Sequence, residues 1–420
     1  MISLLLNPAQ IVTVDTNGKN FKSGIEMQDI SVLQNHSIIF EDDLIKDLIP
    51  NSSVKREQFD SVLEVKDKII LPGLIDCHTH TAFAGSRAGE FRLRLQGISY
   101  EEISKSGGGI NTTVSAVQNY SFEELLKIIK PRIDNFISQG VTTLEIKSGY
   151  GLDFENELKL LRVINHLNEI YPIDIIPTFL GAHTFPLKYK ENHQGYLDIL
   201  TKEMLPFIAE NKLSKFCDGF CEASAFSAPE IDIIFTEAEK LGLKTKLHTN
   251  QFSSIGGIST ALKHKCISID HLEVINDSEI KLISNTDTAA VLLPGVSFFL
   301  DYQFAPARKL IESDIVVGLS TDYNPGTSNI FSASFIMSLA AIKMKMTIEE
   351  TISAFTINSA KALSVNNSAG SLEIGKKADF AVFNTNDYSE IIYNIGTNLN
   401  SMTIKNGKVI YRSPGFESVV

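Results

Sequence analysis

The spacing of apolar and polar positions changes rhythm twice along the chain. Residues 1–68 set short β-like runs at 11–14, 37–40 and 61–65 between polar, turn-rich segments such as 15–20. This is the pattern of a small antiparallel sheet. From residue 69 the rhythm becomes strand, loop, helix. Apolar runs fall at 69–75, 140–147, 174–181, 215–221, 243–248, 266–270, 289–294 and 315–320, several of them separated by helix-like stretches such as 122–130 and 155–164. Near-continuous apolar strands alternating with amphipathic helices predict a parallel sheet covered on both faces. Eight such units predict a (β/α)8 TIM barrel rather than an open doubly wound sheet. After Asp322 the pattern is helical from Asn329 to about Met344, and again from the capping-box sequence Thr347-Ile-Glu-Glu350 to about Leu363. Further strands are expected within 370–383 and 402–411, the latter a hairpin turning at Asn406-Gly407. Short strands at both termini predict one small β-sandwich that the barrel interrupts: residues 1–68 and 366–420 around a barrel of 69–365.

Composition narrows the partners. The 420-residue chain carries 50 acidic and 38 basic side chains, net −12, with no Lys/Arg run. That balance argues against a nucleic-acid surface and against a basic membrane-binding face. There is no apolar run of roughly 18 residues, and the first eight residues lack the charged and apolar regions of a secretory signal. A small-molecule substrate and a cytoplasmic location are the expectation, and a homodimer is compatible with it. Cys77, Cys217, Cys221 and Cys266 are dispersed, with no paired CxxC, so they read as buried thiols.

The chemistry concentrates in Leu71-Pro-Gly-Leu-Ile-Asp-Cys-His-Thr-His80. Side chains at i and i+2 of a strand share a face, about 6.5–7 Å apart at the backbone, so His78 and His80 can converge on one ion. An isolated His-x-His would more simply be a buried strand satisfying backbone carbonyls; the rest of the chain decides otherwise. Of nine histidines, five end proposed strands: His78 and His80 the first, His183 the third, His248 the fifth and His271 the sixth, while Asp322 ends the eighth. His36, His166, His193 and His264 lie in polar or helical surroundings and read as surface residues. Three neutral imidazoles and a carboxylate suit zinc or iron with a position open for water. Such an ion lowers the pKa of its water towards about 7, which points to hydrolysis.

Asp76-Cys-His-Thr-His80 resembles the opening motif of the amidohydrolase superfamily, and Gly370-Ser-Leu-Glu-Ile-Gly-Lys-Lys-Ala-Asp-Phe-Ala-Val-Phe383 its C-terminal β signature. Within it the chain resembles the imidazolonepropionase family, through motifs around Asp76–Arg87, Glu90–Gly97, Gly107–Ile110, Lys147–Leu152, Phe179–His183, Phe220–Glu222, His248–Gln251, Asp270-His271 and Ser320–Thr327. The resemblance implies hydrolytic opening of 4-imidazolone-5-propanoate to N-formimidoyl-L-glutamate in histidine degradation. It implies one divalent or trivalent ion, zinc or iron, held by His78, His80, His248 and Asp322. His271 would hydrogen-bond the attacking water or the oxyanion, and Asp322 would relay a proton to the departing nitrogen. Arg87, Tyr150, His183, Gln251, Asn324, Gly326 and Thr327 would surround the substrate.

Each of these residues also has an ordinary reading. Arg87 could meet a propionate tail bidentately or form a loop salt bridge. Tyr150 could reach the pocket or pack as an aromatic. His183 could donate to a ring carbonyl or be packed. Asn324-Pro-Gly-Thr327 could bend to offer backbone N–H groups to a ligand or be a plain turn, and Gln251 could read an amide-like ring edge or face solvent. Glu222 could support a ligand or pair with a cation. The family pattern has an acidic residue before Gln251, where this chain has Asn250. The fourth strand ends in Phe220-Cys-Glu222 without the lysine that bridges two metals in related enzymes, and Lys147 is a weak substitute, so a single ion is expected. Two other functions fit part of the pattern: a mononuclear aminohydrolase of the nucleobase-deaminase kind, and a barrel scaffold without activity.

Overall fold

The computed structural model describes residues 1–98, 102 and 108–414. Eight parallel strands follow one another around the barrel in chain order: Leu74–Asp76, Val141–Lys147, Asp174–Ala182, Phe216–Cys221, Lys244–Thr249, Ser268–His271, Ala289–Leu292 and Val317–Leu319. Each matches one predicted apolar run. The first and last strands meet just beyond their ends, where Asp322 N–H donates to His78 O (3.1 Å) and His80 N–H to Tyr323 O (3.0 Å). The Asp76 carboxylate stitches the same seam, accepting from Ser320 Oγ, Thr321 N–H and Thr321 Oγ1–H. The buried seam therefore sets His78 and Asp322 side by side.

The helices begin where local chemistry satisfies their free N–H groups. Phe122–Ser138 opens with a capping box from Ser121 and Glu124, Phe154–Ile170 with Asp153, and Ala228–Lys240 with a box from Ser227 and Glu230. The predicted box at Thr347 and Glu350 is present, but the helix after it, Ile348–Ser353, passes through a wider π turn at Ala354–Asn358 before Ser359–Ala362. The preceding helix starts later than expected, at Ala333.

Two further sheets come from the chain ends. One is four-stranded, with Ile2–Leu6 between His36–Glu41 and Ser61–Glu64 and with Leu44–Pro50 at the edge. The other is six-stranded and joins Gln10–Val12, Val32–Leu33 and Ile69–Pro72 to Phe380–Phe383, Asn400–Lys405 and Lys408–Arg412. Leu5, Ile11, Ile38, Ile70, Phe380 and Ile404 pack between them in one apolar cluster. The predicted hairpin turn is there, Asn406 and Gly407 both at positive φ (49° and 72°).

The run 69–75, expected as one barrel strand, is two strands. Ile69–Pro72 pairs with Phe380–Phe383 and Gln10–Val12 in the sandwich, and only Leu74–Asp76 enters the barrel. Both halves are fully buried, so hydropathy does not separate them; the break is at Gly73. A Cβ on Gly73 would lie 2.3 Å from Thr142 Oγ1 and 2.5 Å from its Cγ2. Gly73→Ala should therefore cost about 1–3 kcal/mol of stability by overpacking, read as a lower urea midpoint. Thr142→Ala should recover a measurable part of that loss in the double variant. Equal losses in both backgrounds would place the strain elsewhere.

Candidate active site

The expected residues come together at the C-terminal mouth of the barrel. His78 Nε2 lies 3.5 Å and His80 Nε2 3.3 Å from Asp322 Oδ1, and His248 Nε2 faces His80 Nε2 at 3.4 Å. His78, His248 and His271 form a second group whose ring nitrogens lie within 4.8 Å of one another. All five side chains are buried.

Two carboxylates fix the direction of the imidazole lone pairs. His78 Nδ1–H donates to Asp270 Oδ2 (2.6 Å) and His248 Nδ1–H to Asp218 Oδ1 (3.0 Å). In neutral imidazole the proton on Nδ1 leaves an unshared pair on Nε2. Burial pushes His78 well below the usual histidine range and His80 and His248 down to about 3, so these rings are neutral. Asn324 Nδ2–H donates to Asp322 Oδ2 (3.1 Å), which leaves Asp322 Oδ1 bare. His78 Nε2 likewise has no hydrogen-bond partner among the described residues. Unshared pairs aimed at one another in a buried space repel unless a cation sits among them. The donor set, imidazole nitrogen plus carboxylate oxygen, suits a borderline divalent ion.

His271 behaves differently. Its backbone is left-handed (φ 87°), and its Nδ1 approaches Glu273 Oε1 at 3.4 Å. Burial would lower its pKa, but the Glu273, Asp322 and Asp270 carboxylates outweigh it and hold it above the ordinary value. A residue held near protonation beside neutral ligands can exchange a proton at the barrel mouth.

The loops carrying the remaining residues are tied down by buried acceptors. Glu157 accepts from the N–H groups of Gly149, Gly151 and Leu152, fixing Tyr150. Glu222 accepts from Gln251, Phe252 and Ser253 N–H and from Ser253 Oγ–H. Its carboxylate therefore holds the loop of Gln251. Asn250, also left-handed (φ 54°), donates from Nδ2 to Glu279 Oε2 (2.9 Å). An acidic side chain there would set two carboxylates against each other, so the amide matches its partner.

Gly326 N–H and Thr327 N–H both donate to Asn324 Oδ1 (2.8 and 2.7 Å), closing the turn on itself. His183 Nδ1–H donates to Gly149 O (2.9 Å), and burial lowers the ring to about 3. In this neutral tautomer Nε2 carries an unshared pair. The ring stacks on His80 at 5.1 Å and approaches Tyr150 at 5.3 Å. Arg87, nearly buried, pairs through Nε with Glu90 (2.7 Å). A Cβ on Gly326 would stand 2.0 Å from Arg87 Nη1, so this glycine is what lets the guanidinium lie there. Gly107 of the Gly107–Ile110 motif lies outside the described residues.

Beneath the histidines the barrel is polar, which hydropathy did not reveal. Lys147 Nζ binds Asp218 Oδ2 (2.7 Å) and Glu145 Oε2 (2.8 Å), and Lys246 Nζ binds Glu145 Oε1 (2.9 Å) and Cys77 O (3.0 Å). Asp218 and Glu145 hold the Lys147 ammonium above its ordinary pKa despite burial. A lysine bridging two metals would be a carbamate and carry negative charge; between two carboxylates Lys147 is a cation.

Fold and cluster define the class: a barrel hydrolase of the amidohydrolase kind, a class that implies a metal cofactor. The amidohydrolase family model matches residues 216–410. The fold is shared with an adenosine deaminase from Xanthomonas campestris with bound zinc (TM-score 0.71, 16% identity, 97% of this chain and 92% of that one). It is shared equally with a guanine deaminase from C. acetobutylicum with bound guanine (TM-score 0.70, 16% identity, 98% and 100%). Full-length relatives are more specific. The chain is 41% identical to the imidazolonepropionase of Flavobacterium johnsoniae over 98% of its own length and 100% of the relative's. It is 42% identical to that of Thermoanaerobacter pseudethanolicus over 91% and 92%. The chain belongs to the imidazolonepropionase family, and it is a hydrolase.

If Glu222 anchors its loop as the hydrogen bonds indicate, Glu222→Ala should speed amide hydrogen exchange at 251–253 about tenfold or more. Exchange at 149–152, held by Glu157, should stay unchanged. Unaltered protection at 251–253 would show that another contact holds the loop.

Proposed function

We propose that this site opens the ring of 4-imidazolone-5-propanoate by hydrolysis, giving N-formimidoyl-L-glutamate in histidine degradation, with one zinc or iron ion held by His78, His80, His248 and Asp322. The observation that carries the reading is the convergence of their nitrogen and oxygen atoms, 3.3–3.5 Å apart, at a barrel mouth. The Lys147 ion pairs favour a single ion. When bound, the ion supplies the Lewis acidity that makes water nucleophilic near neutral pH. Full-length likeness to imidazolonepropionases favours this substrate over a nucleobase, and the complete ligand set disfavours an inert scaffold.

The chain's own residues then carry the rest. Asp322 accepts the water's proton as the water oxygen bonds the ring carbonyl carbon. The adjacent C–N bond breaks, and Asp322 returns the proton to the departing nitrogen. His271, supported by Glu273, hydrogen-bonds the attacking water or the developing oxyanion. Arg87 meets the propionate carboxylate with its guanidinium, and Gly326 keeps the space beside that group open. His183 Nε2 accepts a ring N–H, and Tyr150, Gln251, Asn324 and Thr327 complete the walls. Among the described residues no helix is long and apolar enough to cross a membrane. With net charge −12, we place the reaction in the cytoplasm, on a free small molecule, without nucleic acid or membrane; a homodimer is compatible with it.

His248→Ala should lower turnover at least about a thousandfold and lose tightly held metal by elemental analysis; retained metal and activity would refute the ligand assignment. Arg87→Met should raise KM for the propionate-bearing substrate by about tenfold or more while hardly changing an analogue lacking the tail. Equal losses on both compounds would remove Arg87 from carboxylate recognition.

A further inference from the structure

Lys147 is a fully buried cation with no part in the proton transfers of the hydrolysis. It ends the second barrel strand, one layer below the histidines, with Asp218 on one side and Glu145 on the other. The Asp218 carboxylate is divided between two tasks. Oδ1 accepts from His248 Nδ1–H (3.0 Å) and from its neighbour's backbone, Gly219 N–H (2.8 Å), while Oδ2 is held by Lys147 (2.7 Å). Lys246 lies in the same layer, is equally buried and also pairs with Glu145, but its other hydrogen bond goes to Cys77 O. The two lysines thus share burial, charge and a carboxylate, and differ in that Lys147 also binds Asp218.

From this we infer that Lys147 is a positioning residue for the metal ligand His248, acting through Asp218. Its ammonium pins the far oxygen of the carboxylate, so that the near oxygen stays on His248 Nδ1 and the Nε2 lone pair stays aimed at His80 and Asp322. Without it, the oxygens of Asp218 and Glu145 that both now touch Nζ would face each other bare. Like charges at that separation in a buried space repel strongly; Glu145 is anchored through Oε1 by Lys246 and Thr178, so Asp218 would swing away from His248. Outer partners that orient a metal-binding histidine typically matter by about 10–100-fold in metal affinity.

The inference rests on the reading that His248 holds the ion, and its test separates the two. Coulomb repulsion alone gives the opposite sign: deleting a buried cation beside a dication site tightens binding. The sign of the change therefore distinguishes a positioning role from a bare charge.

Zinc affinity of the metal-stripped full-length protein is measured by competition with a chromogenic chelator, for the unaltered chain, Lys147→Met, Lys246→Met and His248→Ala. Lys147→Met is expected to weaken zinc binding about tenfold or more, and Lys246→Met to leave it unchanged or tighter. Lys147→Gln, which keeps a donor within reach of one carboxylate, should weaken it by less in the same direction, and it carries the test if Lys147→Met does not fold. Zinc binding that is unchanged or tighter in both Lys147 variants, or weakened alike by Lys246→Met, would overturn the inference. Undiminished binding by His248→Ala would instead overturn the ligand assignment beneath it. Rescue gives an independent readout: adding Glu145→Gln to Lys147→Met removes the facing charge and should return affinity to within about threefold, which simple loss of packing would not do.

Discussion

The constraint on which the rest depends is the placement of two protons, on Nδ1 of His78 and on Nδ1 of His248. Asp270 and Asp218 accept them, and each bond leaves the opposite ring nitrogen as a lone pair pointing into a space it shares with the other and with Asp322 Oδ1. Neutral donors crowded in this way are poorly placed for one another and well placed for a cation. The strand ends supply the Cα positions, but the carboxylates below decide what the rings present.

The barrel seam serves the same end. A sheet of eight strands has to close somewhere, and here closure falls between the strand bearing His78 and the one leading to Asp322. Asp76 accepts from Ser320 and Thr321, two backbone bonds run between the strand extensions, and the first and last ligands become neighbours. The loops above follow a common device. Glu157, Glu222 and Asn324 each gather two or more backbone N–H groups, so Tyr150, Gln251 and Arg87's neighbour Gly326 project from loops fixed by buried acceptors rather than by regular secondary structure. Fixing loops in this way is what lets a barrel hold reacting groups in register.

Much of this was legible in residue order because of how parallel barrels are buried. Strands covered on both faces are continuous apolar runs, and all eight stood out; residues that end those runs face the mouth, so His78, His80, His183, His248, His271 and Asp322 could be gathered from residue order alone. Where burial was equal the reading failed. Ile69–Pro72 and Leu74–Asp76 are apolar alike, and only pairing partners assign them to different sheets. The edge strand Leu44–Pro50, half polar and partly exposed, carried too little signal. The polar layer below the site was missed for a related reason. Asp218 lies opposite Lys246 across two strands and reaches Lys147 from a third, a relation that depends on register and not on spacing. Likewise, the turn at Asn324 was foreseen but not that its side chain would consume the N–H groups it exposes.

The central claim is that one cation occupies the point where these donors converge. Crystals of the metal-loaded protein, with anomalous difference maps recorded on either side of the zinc and iron absorption edges, test it most directly. The account predicts a single strong peak bounded by His78, His80, His248 and Asp322, with Asp218 and Asp270 still on the Nδ1 atoms. A second peak beside Lys147, or a metal peak elsewhere with His78 and His248 turned apart, would contradict it.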